Sequence, residues 1–205
     1  PGVVEDLAFN QVPGAVVMFL NGFCGDLDPY RHMGVTREIF SYPYYKEPGR
    51  DLTPNLQAMR RLGGILAADV IRLNDQIRID ERVWRQVGIQ RLEVTGSLRQ
   101  DGPEFSEHFD PQIETAVFRI GPVGFACAPF KPVAALGLNV KRHSPAPYTI
   151  TVGHTPSYRG YLPDQRTLDQ GGLEADSPWR GYGPGTGERV AQTLIQGLES
   201  LFNAG

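Results

Sequence analysis

Long apolar runs are missing from this sequence, and so is any surplus of one charge. No stretch approaches the roughly 18 consecutive apolar residues of a membrane-spanning helix. Twenty basic residues stand against 23 acidic ones. That balance leaves neither the electrostatic footprint of a nucleic-acid binder nor a polybasic membrane anchor. Cysteine is scarce. Cys24 and Cys127 are too few for a disulfide framework and are expected as free, partly buried thiols. The first residues do not read as a signal peptide. An initiator Met is also absent: the chain opens on Pro1-Gly2, and an upstream part is expected to be missing. What is plentiful is a core. Apolar residues make up 40% of 205 positions, enough for one α/β domain over 1–205. With 24 glycines and 17 prolines, loops are many.

The stretch that organises the rest is Ala15–Pro29. Ala15–Leu20 reads as a buried strand. It runs into Asn21, Gly22, Cys24 and then Gly25-Asp26-Leu27-Asp28-Pro29. Open α/β sheets hold ligands beyond the carboxyl ends of their strands, so this exit is the first site candidate. Pro29 biases Asp28 toward an extended conformation.

Before it, Gly2–Asn10 reads as a short helix, with Val3, Val4, Leu7 and Ala8 on one side. After it, Tyr30–Leu52 shows no period and is long enough for a lid or cover. Thr53-Pro54 is a helix start. Leu56, Met59, Leu62, Leu66, Val70 and Leu73 follow at helical spacing. Gly63-Gly64 inside that helix suggests close packing onto the sheet. Trp84–Leu98 alternates as one or two strands, and Gln100–Pro111 is a polar loop. Thr115–Ile120 and Val123–Ala128 form a hairpin about Gly121-Pro122. A helix over Phe130–Arg142, a strand over Tyr148–Val152 and a long loop over His154–Pro184 come next. Thr186 caps a final helix with Val190, Leu194, Leu198 and Leu201 as its stripe. The fold class is α/β, a mixed β-sheet flanked by helices.

Three strand exits converge if the sheet is parallel in this region: Asn21–Asp28, Cys127–Lys131 and Gly153–Tyr161. Asp26 and Asp28 are candidates for base or nucleophile, or for turn residues that accept backbone N–H groups. Asp26, Asp28 and His32 form a D-x-D-x-x-x-H string that matches no strong metal signature. Lys131, at a helix start where the dipole disfavours a cation, calls for a partner such as Asp28. His154 and Tyr161 are candidate auxiliary acids. Asn21, Gly25, Tyr158, Arg159 and Glu174, which follows Gly171-Gly172, are candidates for substrate contacts. An aspartyl-phosphate phosphatase is a poor match, because Asn21–Gly25 intervene between the strand and the first aspartate.

Several segments together resemble the neutral/alkaline non-lysosomal ceramidases, in the later half of their amino-terminal catalytic domain. They are Pro1-Gly2, Pro13-Gly14-Ala15-Val16 through Gly25-Asp26-Leu27-Asp28-Pro29, Pro129–Lys141, Tyr148–Gly153, Tyr158–Pro163, Gly171–Glu174 and Pro184–Gly187. The resemblance implies a zinc amidase that cleaves an N-acyl sphingolipid, with the metal polarising the carbonyl. It also implies that the half supplying two zinc-binding histidines is absent. The family's catalytic serine falls on Asp28, its zinc-ligating glutamate on Lys131, and its zinc-ligating tyrosine on Leu173. No zinc is therefore assigned to this sequence. Lys131 is expected to replace the metal's charge, with Asp28 as counter-ion.

Three readings follow. The first is a hydrolase of amides or esters with a re-tooled site, acting on a small-molecule or lipid-like substrate. The second is a non-catalytic binding homologue whose crevice is lined by Tyr158, Tyr161 and Phe130. The third is an active zinc ceramidase. A missing half would leave edges uncovered, so an oligomer or a pairing with an upstream segment is expected. The family is often secreted or periplasmic; these residues set no compartment.

Overall fold

The computed structural model describes residues 2–11, 14, 16–27, 53–77, 86–100 and 109–203. The chain divides into two units, Pro1–Phe19 with Asp28–Ile79, and Leu20–Leu27 with Asp80–Gly205.

The first unit contains α1 (Gly2–Gln11) and α2 (Thr53–Gln76), which pack on each other. Both helices fall where their periodicity predicts. Val4 and Ala67 are buried, but Met59, Leu66, Val70 and Leu73 are exposed. A Cβ at Gly64 would meet nothing within 4 Å. Gly64 is therefore not required by a close contact. Apolar spacing specifies which face of a helix is greasy; it does not supply the surface that covers it.

A second correction concerns Ala15–Leu20. Among its described residues, Val16–Leu20 form no strand, and Val16, Met18, Phe19 and Leu20 are exposed. High β-propensity needs a ladder partner to become a strand, and Val16–Leu20 have no strand pairing. The expected loop Tyr30–Leu52 lies outside the described residues, as do most of Gln100–Pro111.

The second unit is built on a four-stranded sheet in the order β1-β2-β3-β5. Strands β1 (Val87–Thr95), β2 (Gln112–Ile120) and β3 (Val123–Cys127) are antiparallel, and β5 (Tyr148–Val152) joins β3 in parallel. The expected mixed sheet is present. Gly121, at φ 55°, turns the β2–β3 hairpin with Pro122; that left-handed conformation costs glycine nothing.

One face of the sheet is covered by α6 (Thr186–Asn203). Its Val190, Leu194 and Leu198 are buried as the stripe predicts. Each such burial contributes about 1.5–3 kcal/mol. Gly197 lets the helix approach: a Cβ there would lie 2.5 Å from Leu92 Cδ1 and 2.9 Å from Val117 Cγ2. Helix α3 (Ala134–His143) packs on α6 and completes the core with Leu136 and Val140.

The helix expected over Phe130–Arg142 is shorter than predicted. Lys131–Pro132 instead form β4, which pairs in parallel with β6 (Tyr161–Leu162). The dipole argument for Lys131 is corrected accordingly, because the residue is not at a helix start. The expected loop His154–Pro184 also has structure: β6, α4 (Gln165–Gln170) and α5 (Leu173–Asp176). Asp164 caps α4, accepting the Thr167 N–H at 2.8 Å.

Candidate functional site

The three predicted segments do meet, although Asn21–Leu27 follows no strand and only the other two leave strands, β3 and β5; main-chain hydrogen bonds hold them together. The Gly153 N–H donates to Asn21 O at 2.8 Å, and the Gly25 N–H to Pro132 O at 2.7 Å. From the other side, the His154 N–H donates to Phe130 O at 2.8 Å and the Lys131 N–H to Gly160 O at 2.8 Å. The backbone is tight here. A Cβ at Gly25 would lie 2.6 Å from Lys131 O and 2.9 Å from Pro132 O, both immovable main-chain atoms. Gly25 is thus a packing requirement where this turn meets β4.

Pairing of β4 with β6 sets Lys131 opposite Tyr161. The ammonium Nζ donates to Tyr161 Oη at 3.4 Å and lies 5.1 Å from the ring centroid. His154 follows β5 with φ 59°. A side-chain-bearing residue in that region costs roughly 1–3 kcal/mol, and such strain clusters at functional sites. Its ring meets Tyr158 edge-on at 5.0 Å. Asn21 links the first exit to it. The Cys24 thiol donates to Asn21 Oδ1 at 3.5 Å, and Asn21 Nδ2 lies 3.3 Å from His154 Nδ1. With the amide so oriented, Nδ1 accepts and the imidazole proton sits on Nε2.

Partial burial lowers the His154 pKa from its ordinary 6.5, and the Lys131 charge lowers it further. Partial burial raises the Tyr158 phenol; Lys131 opposes that shift and Tyr161 adds to it. Among the described residues, Lys131, Tyr158, Tyr161 and a His154 that is neutral at pH 7 therefore meet at this junction. It is rich in hydrogen-bond donors.

Other candidates are placed differently. Asp26 accepts the Ala134 N–H at 2.6 Å and satisfies the first turn of α3, whose own N-cap Val133 offers no side-chain bond. The expectation that it serves its own turn is replaced by a cap on a remote helix. Arg159 Nη1 donates to Asp110 O, Gln112 O and the Tyr182 hydroxyl at 3.0, 2.8 and 2.8 Å, bracing the start of β2. Glu174 lies in α5, and among the described residues no hydrogen bond or ion pair ties it to the crevice. Asp28 and His32, and with them the proposed Asp28–Lys131 pair, lie outside the described residues. Both cysteines are free thiols, as predicted; Cys127 is buried and Cys24 partly so.

The positions to which the resemblance assigns zinc ligands do not fit the metal. Lys131 carries an ammonium, which repels a dication, and Leu173 is an exposed alkyl chain. Among the described residues no group of three or more His, Cys, Asp or Glu gathers in one place.

Sequence reading missed a polar cavity of about 560 Å³ lined by Ser97, Arg99, Gln165, Asp169, Asp176 and Arg180. Arg180 is buried and donates to the carbonyls of Ala175 and Tyr182; Arg99 Nη1 donates to Ser177 O at 2.9 Å. Both guanidinium groups brace the segment after α5. No motif marks them, because their acceptors are main-chain oxygens of distant residues.

No protein-family model matches the chain, and no curated protein sequence does. Among solved structures, the neutral ceramidase from Pseudomonas aeruginosa is similar with a TM-score of 0.60 and 13% identity over 78% of this chain. A ceramidase complexed with C2 has 18% identity over 46% of this chain and 15% of that one, with a TM-score of 0.42. This chain covers 35% of the Pseudomonas protein. That likeness is one of fold: the mixed α/β architecture built here around β1-β2-β3-β5 is shared with a neutral ceramidase.

Proposed function

We propose that this chain carries part of a ceramidase-like hydrolase domain, acting on the amide or ester bond of an N-acyl sphingolipid-like substrate with the family's zinc and serine positions replaced. The observation that supports this most is the meeting of the Asn21–Leu27 turn with the segments that follow β3 and β5, which brings Lys131, Tyr161 and His154 together. The carbonyl oxygen of a bound acyl group would lie against Lys131 Nζ and the Tyr161 hydroxyl. These donors oppose the negative charge that develops as the carbonyl carbon is attacked. His154, with its proton on Nε2, is a further hydrogen-bond donor, and the leaving amine or alcohol takes the proton that the base removes from the attacking water. Asp28 is the proposed base, since Asp26 is committed to α3.

A second reading is favoured by that same commitment. The described crevice holds donors, and a donor cluster without a base binds an acyl ligand and does not turn it over. This is the non-catalytic binding homologue.

The test is release of free acid from an N-acylsphingosine and from a matched ester by the full-length protein, in chelator. Turnover that falls by about 10²–10³ in Lys131→Met supports the hydrolase, a loss of the size expected for an oxyanion donor. Acyl-lipid binding without turnover supports the binding homologue. Turnover lost in chelator and restored by zinc would replace both with the zinc-dependent amidase.

A further inference from the structure

We infer that the polar cavity between α4 and the segment after β1 binds a zwitterion of dipeptide size, its carboxylate held by Arg99 and Arg180 and its ammonium by Asp169 and Asp176. The inference does not rest on the proposed hydrolysis, since Lys131, Tyr161 and His154 take no part in the walls of this cavity.

The cavity measures about 560 Å³, within the range of small-molecule sites. Three segments wall it: 97–100, α4, and the stretch from α5 to Pro184. The first and the last are joined by main chain. The Gly183 N–H donates to Ser97 O at 2.7 Å, and the Arg99 N–H to Gly181 O at 3.0 Å. Helix α4 is held at its start, where the Gln165 N–H donates to Glu188 Oε1 on α6 at 2.7 Å. A site built in this way does not have to be assembled by its ligand.

Its walls carry both signs of charge. The guanidinium groups of Arg99 and Arg180 brace main-chain carbonyls and keep their positive charge while doing so. Asp169 accepts the Gln165 side-chain amide on Oδ1 at 2.8 Å, and Asp176 accepts the Gly172 N–H on Oδ2 at 3.0 Å. Among the described residues, the second oxygen of each carboxylate has no hydrogen-bond partner. The ion pairs among those residues are Arg72–Asp69 and Arg91–Glu114, so neither carboxylate is paired with either guanidinium across the cavity. Two cations and two anions set around one space complement a ligand that carries both charges.

The rest of the wall narrows the class. Among the described lining residues the formal charges cancel, so a bare anion such as phosphate gains no net attraction. No aromatic side chain is among them, which leaves a nucleobase without a stacking partner. Gln100 and Gln165 each offer an amide, donor and acceptor together, to match a peptide group. Leu98 and Leu168 give an aliphatic side chain a surface. A guanidinium fork takes a carboxylate bidentately. A dipeptide with one aliphatic residue meets all of these.

Calorimetric titration of the full chain with alanyl-leucine tests this. N-acetylalanyl-leucine lacks the ammonium and alanyl-leucinamide lacks the carboxylate; glucose and inorganic phosphate are further comparison ligands. Alanyl-leucine is expected to bind one to one and about tenfold or more tighter than either blocked form, the factor carried by one hydrogen bond to a charged group. Asp169→Asn combined with Asp176→Asn keeps acceptors for Gln165 and Gly172. It is expected to weaken alanyl-leucine and alanyl-leucinamide by a similar factor and to leave N-acetylalanyl-leucine unchanged. If that variant fails to fold, amide NMR of the unaltered protein decides: alanyl-leucine is expected to shift resonances of 97–100, α4 and α5, and not those of β3. No binding of alanyl-leucine at about millimolar concentration, a comparison ligand binding as tightly, an unaltered affinity in the folded variant, or shifts centred elsewhere each overturns the inference.

Discussion

Asp26 Oδ1 accepts the backbone N–H of Ala134 at 2.6 Å, so the turn at Cys24–Leu27 caps a helix more than a hundred residues further along the chain. One carboxylate thereby fixes the position of α3 relative to that turn. A first-turn N–H left without an acceptor costs free energy, and losing such a cap typically costs about 0.5–2 kcal/mol. Asp26→Ala is expected to lower stability to denaturant by that amount. Asp26→Asn, which keeps an acceptor oxygen, should lose less. Equal losses in the two variants would show that the carboxylate does something other than cap.

Gly25 is expected to tolerate no side chain. Its Cβ would press on Lys131 O and Pro132 O, and main-chain atoms cannot step aside as a side chain can. Gly25→Ala should therefore cost at least the roughly 1–3 kcal/mol of an overpacked core position and should disturb β4 before the four-stranded sheet. Amide exchange at Lys131 and Val133, compared with exchange in β2, reads this out.

On α6, Gly197→Val should destabilise by a similar order, about 1–3 kcal/mol. The added methyls meet Leu92 and Val117, which are held by the sheet. Thermal unfolding checks this, and a normal melting temperature would mean that α6 can shift outward at little cost.

The His154 midpoint should lie below 6.5, chiefly through partial burial and secondly through Lys131. Because the folded pKa is the lower one, the unfolded chain takes up the proton first as pH falls. The contribution of His154 to stability is then fully present above about 6.5 and is lost as pH drops from there through the folded midpoint. Lys131→Met should raise the NMR midpoint only part of the way to 6.5, since burial remains. A midpoint at or above 6.5 in the unaltered protein would contradict this arrangement.

Burial pushes the Cys127 thiol up to about 11, while Cys24 is partly exposed beside Asn21. The thiolate is the reactive form. Iodoacetamide at about pH 8, close to the ordinary cysteine pKa, should label Cys24 in the folded protein and leave Cys127 unlabelled until unfolding; mass spectrometry of the peptides distinguishes the two.

Much of the second unit is legible in the residues themselves. The alternation of β2 and β3, the turn at Gly121-Pro122, strand Tyr148–Val152 and the stripe Val190–Leu194–Leu198 all follow from neighbours within a few positions. Hydrogen-bond geometry and side-chain period are local properties. That the segments after β3 and β5 meet was also legible, because parallel neighbouring strands end on the same edge of a sheet.

Other features depended on partners far along the chain. Val16–Leu20 reads as a strand because its residues suit one, yet a strand exists only where another backbone offers its ladder. Lys131 reads as a helix start until its pairing with Tyr161 makes it β4. Asp26 could have served its own turn, and only the approach of Ala134 made it a cap. Composition and spacing thus determined the main helices, the strands of the four-stranded sheet and the side of α6 that faces the core. Tertiary packing decided what each polar group of the crevice bonds to, because those bonds join residues whose separation no local pattern encodes.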